Sequence, residues 1–585
     1  MNEILLLRAA ALQGQSFETA ILERMFTPSD AKLSDILQSL LKRHGLVRER
    51  ESGRFVFSHH QVHQAILRSM APEDVERGHR ETARLLEKMA AENQAPVPHH
   101  LVAHHLTLAG QTRKAAEHYL AAGKRALAAQ QYHLALDHLR NASNLVPPED
   151  DRDDLALEIT LALLESAKPL GERSLHELAV RNLMTHAERA DKPDLKLRAM
   201  LEQCIYLRTI SEHESSLIVA ENLAKVAREA ENSAIEAAAL KEAGTTCYLM
   251  ADMSKAEQYF HRAAGILAST GDRSQLARVY NNLGLVCRNT QRQEEMVRYF
   301  QRALDIFRDV NDTIGERFPL GNLGIVFFER GEFERAYDCF SALKASLGNR
   351  ADLMMEAKVD FSIGEIFLEI GLYDEAREAC ERSLSTFLNI GNRQGESEVL
   401  GTLGGIQLAR GNIQLAREYF ERSIEVKRDI GNVVGMLHSQ ITLARIANLE
   451  GRHDDALKLA REVLENARKR TLRSIELECM TEIMHAKSQI EGPSGALKIL
   501  SPNEEPEQLE VTCSPALISF AYKAGELAAQ AGDEGRALQY ISVSAKSIEN
   551  ILAGIENPEW REAYHKKREA ILDAYRRLTD PSSDL

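Results

Sequence analysis

A glycine recurs every 40 residues through the middle of the chain, and this spacing constrains the fold more than any other feature. A period of this length indicates stacked copies of one structural unit rather than a set of unrelated domains. The recurring positions are Gly244, Gly284, Gly324, Gly364 and Gly404, with Ala444 next in line.

Further positions repeat in register with these glycines. Twelve residues after each, the chain carries Ala256, Met296, Ala336, Ala376, Ala416 and Ala456. Four residues further it carries Phe260, Phe300, Phe340, Cys380, Phe420 and Ala460. Small residues at these spacings let two helices approach closely, and we expect the aromatic side chain to fill the gap to the next unit. The pattern therefore predicts pairs of packed helices.

Other glycines mark the turns of the same register. Between the two helices of a pair, where a left-handed C-cap suits glycine best, stand Gly331, Gly371, Gly411 and Gly451. Between successive pairs stand Gly271, Gly391 and Gly431.

The stretches Asn281–Leu304 and Gly321–Leu343 show the pattern most clearly, and they resemble the tetratricopeptide repeat in a 40-residue variant with a longer second helix. A shorter, 34-residue form fits Gly123, Ala135, Leu139, Ala142 and Pro147, and a further unit contains Gly525, Gly532 and Ala537. The resemblance covers roughly residues 98 to 550. It implies an all-α superhelical solenoid of about ten or eleven repeats, whose concave face binds other proteins or peptides.

The first hundred residues do not follow the period. We expect helices at Leu5–Gln13, Phe17–Met25 and Leu33–His44, followed by a β-hairpin that turns at residues 51–53. This order is that of a winged helix. The predicted domains are thus a winged-helix-like domain at 1–94, repeats at 95–550, and a C-terminal capping helix and tail at 551–585, with Trp560 in the amphipathic stretch Asn557–Leu578.

A second resemblance concerns residues 6–26, 33–49, 55–67 and 103–127. They are similar to the junction of winged helix and first repeats in bacterial signal-transduction ATPases, including those fused to kinases or transcription regulators. In that family a histidine after the second wing strand contacts the nucleotide, and His59 is the matching position. This sequence has no G-x-x-x-x-G-K-[ST] motif. The resemblance therefore implies the sensor half of a regulator whose ATPase module is missing or on another chain.

Charge and cysteine content limit the partners and the compartment. With 72 Lys plus Arg against 87 Asp plus Glu, the net charge of −15 disfavours nucleic acid and anionic membranes. The seven cysteines form no C-x-x-C pair, which indicates reduced thiols in a cytoplasm. The apolar run Ile4–Leu12 is interrupted by Arg8, so we expect neither a signal peptide nor a membrane span.

Two other candidate sites compete with ordinary structural roles. A basic cluster at the end of the third helix and in the hairpin could meet DNA phosphates: Lys42, Arg43, His44, Arg48, Arg50 and Arg54. Histidines at helical spacing could ligate a metal, namely His59 with His63 and the set His99, His100, His104 and His105. Gln38 is the main base-reading residue near the basic cluster, and no further ligand completes either histidine set. We therefore expect structural roles for both, with no cofactor.

The predicted binding site lies on the first helices of the repeats. It comprises Arg198, Arg208, Lys241, Tyr248, Arg278, Asn281, Arg288 and Asn289, of which the last four are the preferred contacts. Arginine and lysine capture carboxylates, and asparagine bonds to peptide backbone, so an acidic peptide would fit. The alternative is that these side chains are solvated or pair with neighbouring acids. Further along, Glu365 and Glu369 reverse the charge, and Arg445 and Asn448 restore it.

Without a catalytic motif such as G-x-S-x-G or H-E-x-x-H, the leading function is a non-enzymatic scaffold or signalling adaptor. The alternative function is the sensor half described above, with an ATPase or kinase as its partner chain.

Overall fold

The computed structural model describes residues 2–25, 32–51, 53–93, 96–129, 131–146, 154–189, 192–347, 352–509 and 511–579. It forms two compact units, Met1–Ile266 and Leu267–Leu585. Pro147 of the predicted register lies outside the described residues. The predicted boundary near residue 94 also falls where the chain is not described, so the three-domain division stays a prediction.

The first unit begins with helices around a small antiparallel sheet whose strand order is β1–β3–β2. The elements are α1 Asn2–Gln13, β1 Ser16–Glu18, α2 Thr19–Met25, α3 Leu33–Lys42, β2 Val47–Glu51, β3 Arg54–Phe57, α4 His60–Arg68 and α5 Pro72–Glu92. Helix α2 starts later than predicted because Phe17 pairs with Phe55 in the sheet and is buried beneath it. Strand β1 was not predicted. The three helices and the hairpin are present, and assignment to the winged-helix class stays a prediction.

Helices make up the rest of both units in the described residues. In the first unit they are α6 His99–Leu108, α7 Thr112–Ala128, α8 Tyr132–Leu145, α9 Asp154–Leu170, α10 Arg173–Arg189, α11 Pro193–Thr209, α12 His213–Glu229, α13 Ser233–Leu249 and α14 Met253–Thr270, which extends into the second. The second unit continues with α15 Arg273–Asn289, α16 Gln293–Asp309, α17 Thr313–Glu329, α18 Phe333–Leu347, α19 Leu353–Ile370, α20 Tyr373–Asn389, α21 Arg393–Ala409 and α22 Ile413–Asp429. It ends with α23 Val433–Leu449, α24 His453–Lys469, α25 Arg473–Glu491, α26 Pro493–Leu497, α27 Pro515–Gln530, α28 Glu534–Ala553 and α29 Pro558–Thr579, with 3-10 turns at Pro502–Glu504 and Pro506–Gln508.

From α7 to α28 the helices form consecutive pairs, 22 helices or eleven pairs in the described part of the chain. The all-α repeat fold is thus confirmed. Within each unit the first helices of neighbouring pairs contact one another, as α11 with α13, α15 with α17, α19 with α21 and α23 with α25. In each unit the first helices therefore lie side by side, and we call the surface that they form the first-helix face.

The recurring glycines explain the close packing within each pair. A Cβ added to Gly284 would lie 2.5 Å from the ring of Phe300, and one on Gly324 would lie 2.8 Å from Phe340. The aromatic ring therefore lies directly over the glycine of its own pair, whereas the sequence had placed it at the gap to the next one. Turn glycines are left-handed as predicted, with φ of +73° at Gly331.

Two glycines of α17 provide a matched test of this packing. We expect Gly324→Ala to lower the free energy of unfolding by about 1–3 kcal/mol, because the methyl group overlaps Phe340. Gly321→Ala meets nothing closer than 3.7 Å, so removing a helical glycine should raise stability by about 0.5–1 kcal/mol. Urea denaturation followed by circular dichroism measures both. Equal effects of the two substitutions would contradict the packing argument.

The last helix returns to repeats that precede it by about 200 residues. Helix α29 contacts α28, as a cap does, and also α19, which the sequence did not predict. Trp560 meets Tyr337 and Phe367 edge-on, with ring centroids 5.2 and 5.7 Å apart. The Lys567 ammonium donates hydrogen bonds to the carbonyls of Leu368 and Glu369, 2.8 and 2.9 Å away. These carbonyls end α19, where a cation is favoured by the helix dipole.

In the ranges that the structure describes, no helix combines the length and apolarity needed to cross a membrane.

Candidate functional site

The basic cluster of the N-terminal domain is exposed but partly neutralised. Lys42 and Arg43 are exposed at the end of α3, with Gln38 one turn earlier. His44 lies 3.6 Å from Glu3. On the hairpin, the Arg54 guanidinium contacts Glu18 at 2.7 Å, while Arg48 and Arg50 are exposed on β2. DNA binding there stays an expectation, and four of the six basic residues, Lys42, Arg43, Arg48 and Arg50, form no ion pair within the described chain.

Three of the candidate histidines, His99, His100 and His105, contact histidines of other helices. His99 Nδ1 lies 3.0 Å from His118 Nδ1, and the ring of His100 stacks on that of His138. His105 Nδ1 lies 3.1 Å from His79 Nδ1. The two histidines of the other candidate set do not pair with each other. His63 Nε2 contacts the Ala11 carbonyl, and His59, the residue before α4, is exposed.

The described part of the chain contains no cluster of metal ligands and no disulfide. Nowhere within it do three histidine, cysteine, aspartate or glutamate side chains converge as metal ligands would. The seven cysteines are free thiols, and burial raises the pKa of the Cys247 thiol to about 11. Cys247 and Cys287 are both buried, as their repeat position predicted.

In the first unit, the predicted groove residues lie on α11 and α13. The Arg208 guanidinium contacts Glu242 at 3.0 Å, and the Lys241 ammonium approaches the same carboxylate at 3.9 Å. Glu242 is buried beneath them. Arg198 is exposed on α11, and Tyr248 is half-buried near the end of α13. Two of the four residues therefore share one acidic partner within the protein.

In the second unit, the four preferred residues lie on α15 and reach toward α17. The Arg278 guanidinium lies 3.8 Å from Asp312 and also faces the ring of Phe318, 5.9 Å from its centroid. Arg288 pairs with Glu329. The side-chain amide of Asn281 is almost fully buried and accepts a hydrogen bond of 2.9 Å from Asn322, and Asn289 is exposed.

These contacts join residues one repeat apart. Asp312 follows Arg278 by 34 positions, and both Glu329 and Asn322 follow their partners by 41. The pairing with neighbouring acids that the sequence left open is therefore present for four of the five basic groove residues, Arg208, Lys241, Arg278 and Arg288. The spacing of acids one period later could have predicted it.

An apolar strip on α17 lies beside these arginines. Ile314 and Phe318 are each half exposed, and Ile325 is 37% exposed. Their spacing of four and seven residues places them along one line of the helix, with the bare backbone of Gly321 between them. Exposed apolar residues aligned in this way are typical of a binding surface. Sequence reasoning missed the strip because repeat positions were judged by charge alone.

The acidic end of the face lies on α19 and is closed by the last helix. Burial opposes ionisation of Glu369, but the Lys567 ammonium and the Arg568 guanidinium, each 3.6 Å away, outweigh it and lower its pKa. Glu365 has no such cation; burial, with Glu398 and Glu369 nearby, raises its pKa to about 8. At neutral pH, Glu365 therefore tends to hold its proton. The negative charge predicted for this part of α19 is thus smaller than its two glutamates suggest.

The basic and amide residues on α23 also contact an acidic partner within the protein. The Arg445 guanidinium contacts the Glu482 carboxylate at 2.7 Å, and Asn448 donates to the same carboxylate at 3.0 Å. Glu482 is buried, so this triad is a linkage between α23 and α25.

Comparison with known proteins agrees with the repeat architecture. Residues 275–341 and 355–429 match the family model described as tetratricopeptide repeat, so the pairs α15–α16 through α21–α22 are tetratricopeptide repeats. No curated protein matches the chain.

Solved structures with a similar arrangement include a signal transduction ATPase with numerous domains and a tetratricopeptide repeat sensor from Pyrococcus horikoshii. It is 17% identical with a TM-score of 0.44, over 81% of this chain and 65% of that one. The chain thus spans about two thirds of that protein's length. The apo quorum sensor NprR from B. thuringiensis is 13% identical, with a TM-score of 0.44, over 57% of this chain and 93% of its own.

Proposed function

We propose that the chain is a non-enzymatic binding protein whose first-helix face on α15 and α17 holds a peptide segment of a partner protein. The observation that carries the proposal is the exposed strip of Ile314, Phe318 and Ile325 flanked by Arg278 and Arg288. Apolar side chains of the peptide would cover the strip, and its carboxylates would meet the arginines. An acidic peptide with apolar residues at helical or extended spacing fits this surface.

The internal ion pairs do not prevent this use of the arginines. Arg278 and Arg288 are each more than a third exposed, as is Glu329. Exposed pairs of this kind contribute about 0–1 kcal/mol, so a ligand carboxylate can replace the internal partner at small cost. Asn281 is less suited to direct contact because it is buried and bonded to Asn322. Asn289 remains in the proposed contact set of the second unit. On the first unit, Arg198, Arg208, Lys241 and Tyr248 are proposed separately as contact residues.

A peptide-display selection on the full chain tests the proposal. Affinities of the selected peptides are compared between the wild type and the variant Arg278→Ala/Arg288→Ala/Phe318→Ala, with Arg298→Ala on the second helix α16 as control. We expect the triple variant to lose about tenfold or more in affinity, as for removal of a few contacts at an interface, and the control to lose nothing. Selected peptides that bind the triple variant as tightly as the wild type would place binding elsewhere.

The sensor-half alternative is supported by the resemblance of residues 6–127 to the junction of signal-transduction ATPases. Affinity capture on the full chain from its native lysate tests it. If the triple variant still captures an ATPase or kinase, this result would favour the sensor-half function, with the partner bound outside α15 and α17.

A further inference from the structure

One repeat differs from the others at a position that is otherwise apolar. Twenty-three residues after each recurring glycine or its equivalent, the chain buries an apolar side chain, in Leu267, Phe307, Leu347, Phe387 and Ala467. In the fifth repeat of this series the same position is Lys427, only 5% exposed. Twelve residues later a second exception follows, since buried Ser439 stands where other repeats carry valine, proline or cysteine. Lysine is almost never buried in this way without a partner.

The ammonium of Lys427 has few protein contacts. It donates one hydrogen bond, of 2.9 Å, to the hydroxyl of Ser439. Ser439 in turn lies 3.4 Å from the hydroxyl of Ser423, which donates to the Ser397 carbonyl at 2.7 Å. No carboxylate of the described chain lies within ion-pair distance of Lys427 Nζ. Burial lowers the pKa of Lys427 to about 8, and Glu398 opposes this only in part. An ammonium so placed is costly unless something accepts its remaining protons.

The first-helix face above this ammonium is bare. Gly401 on α21 occupies a position that is glycine in one other repeat, at Gly321, and elsewhere carries a side chain, in Lys241, Asn281, Phe361, Ile441 and Thr481. A Cβ built on Gly401 would have two heavy neighbours within 4 Å outside its own helix backbone, Lys427 Nζ and Ser423 Oγ, each at 3.7 Å. The space left by the missing side chain is therefore faced by two polar groups. Gly405, one turn further along α21, also has no side chain. Gly401 is itself partly exposed.

We propose that Lys427, Ser423 and Ser439 beneath Gly401 form a subsite that receives a carboxylate oxygen of a ligand lying across α21. An oxygen in the place of the absent side chain would lie close enough to draw a hydrogen bond from Nζ after a shift of well under 1 Å. Glycine permits this approach because nothing projects from the helix there. The charge-assisted bond would supply the acceptor that the buried ammonium lacks.

The surroundings select a carboxylate over a more highly charged anion. Among the described residues, Lys427 Nζ is the one cationic atom within 4 Å of the Cβ position at Gly401, and Glu398 lies near enough to act on Lys427. A phosphate dianion would meet this negative charge with a single ammonium to balance it. The carboxylate could be a chain terminus or an aspartate or glutamate side chain. The subsite is separate from α15 and α17 and does not depend on the function proposed above.

Saturation-transfer NMR on the full chain tests the subsite with three probes. N-acetylglycine carries a terminal carboxylate, N-acetyl-aspartyl amide carries a side-chain carboxylate, and N-acetyl-asparaginyl amide carries none. We expect one or both carboxylate probes to bind the wild type, with the stronger one identifying the source. Lys427→Met should weaken that binding about tenfold or more, as for loss of one charge-assisted hydrogen bond.

The two glycines provide matched variants that should both fold. Gly401→Ala covers Lys427 with a methyl group and should reduce carboxylate binding as Lys427→Met does, whereas Gly405→Ala should leave it intact. Both additions meet neighbours only at ordinary contact distances of 3.5 Å or more. The proposal is overturned by absent carboxylate binding in the wild type, by equal binding of the amide probe, or by binding that persists in either Lys427→Met or Gly401→Ala.

Discussion

Tyr564→Ala is expected to release the C-terminal helix from the second unit and to lower its free energy of unfolding by about 3–5 kcal/mol. Tyr564 is 1% exposed and packs on Phe333, with ring centroids 5.9 Å apart. Removing the ring leaves a cavity between α29 and the repeats of α17 and α18. The loss should therefore exceed that of any single surface substitution on the same helix.

The only tryptophan of the chain makes this detachment directly observable. Trp560 lies against Tyr337 and Phe367, so its fluorescence reports whether α29 is docked. In a urea titration of Tyr564→Ala, we expect the fluorescence change at a lower urea concentration than the loss of helical circular dichroism. Tyr564→Phe retains the ring and Lys566→Ala alters an exposed residue, so both should behave as the wild type. An unchanged fluorescence midpoint in Tyr564→Ala would show that α29 contributes little to the unit.

Acidification is expected to loosen the first unit at its histidine pairs. His79 and His105 are both buried, and one Nδ1 must donate to the other, which requires the accepting ring to be neutral and is impossible when both rings are charged. Burial first, and neighbouring histidines second, lower the pKa of His79 to about 4 and that of His105 to about 3. In the unfolded chain both would titrate near 6.5.

The sign follows from these values. Because the folded pKa values are depressed, the stabilisation is complete above pH 6.5 and is lost as the pH falls toward 4 and 3. Between pH 7 and pH 5 the loss amounts to roughly 2 kcal/mol for each histidine. Amide hydrogen exchange of α5 and α6 at several pH values, corrected for intrinsic rates, measures this opening.

A double variant separates the pair from other titrating groups. His79→Leu/His105→Leu should remove most of the pH dependence of exchange in α5 and α6, because neither ring remains to be charged. His133→Gln, at an exposed position of α8, should leave it unchanged. If the double variant opened on acidification as readily as the wild type, other groups would be responsible.

The repeat period predicted the features that depend on neighbours in the array. The left-handed turns at Gly331 and Gly371 and the burial of Cys247 and Cys287 follow from a position within one repeat. The close approach of Gly324 to Phe340 follows in the same way, although the sequence assigned the ring to the wrong side. Such features depend only on the geometry within one helix pair, and that geometry recurs in each repeat.

Other features depended on differences between repeats or on contacts far apart in sequence. Lys427 was detectable as a charged residue at a position that is apolar in the other repeats of its series, and the pairing of Arg288 with Glu329 was detectable from the period. Comparison of equivalent positions one repeat apart would have found both. The docking of α29 was not detectable in this way, because Lys567 lies 199 residues from Leu368 and no periodic rule links them.

The long return of α29 also sets an order of events during synthesis. Phe333, Tyr337 and Phe367 leave the ribosome about 200 residues before Trp560 and Tyr564 can cover them. At 5–20 residues per second this is a delay of roughly 10–40 s, during which these rings stay uncovered on a nascent chain. The second unit can form its first helix pairs early, but it acquires its final stability only when translation has passed residue 572, beyond the last buried side chains of α29. A stall within that interval would leave an aromatic surface open to chaperones.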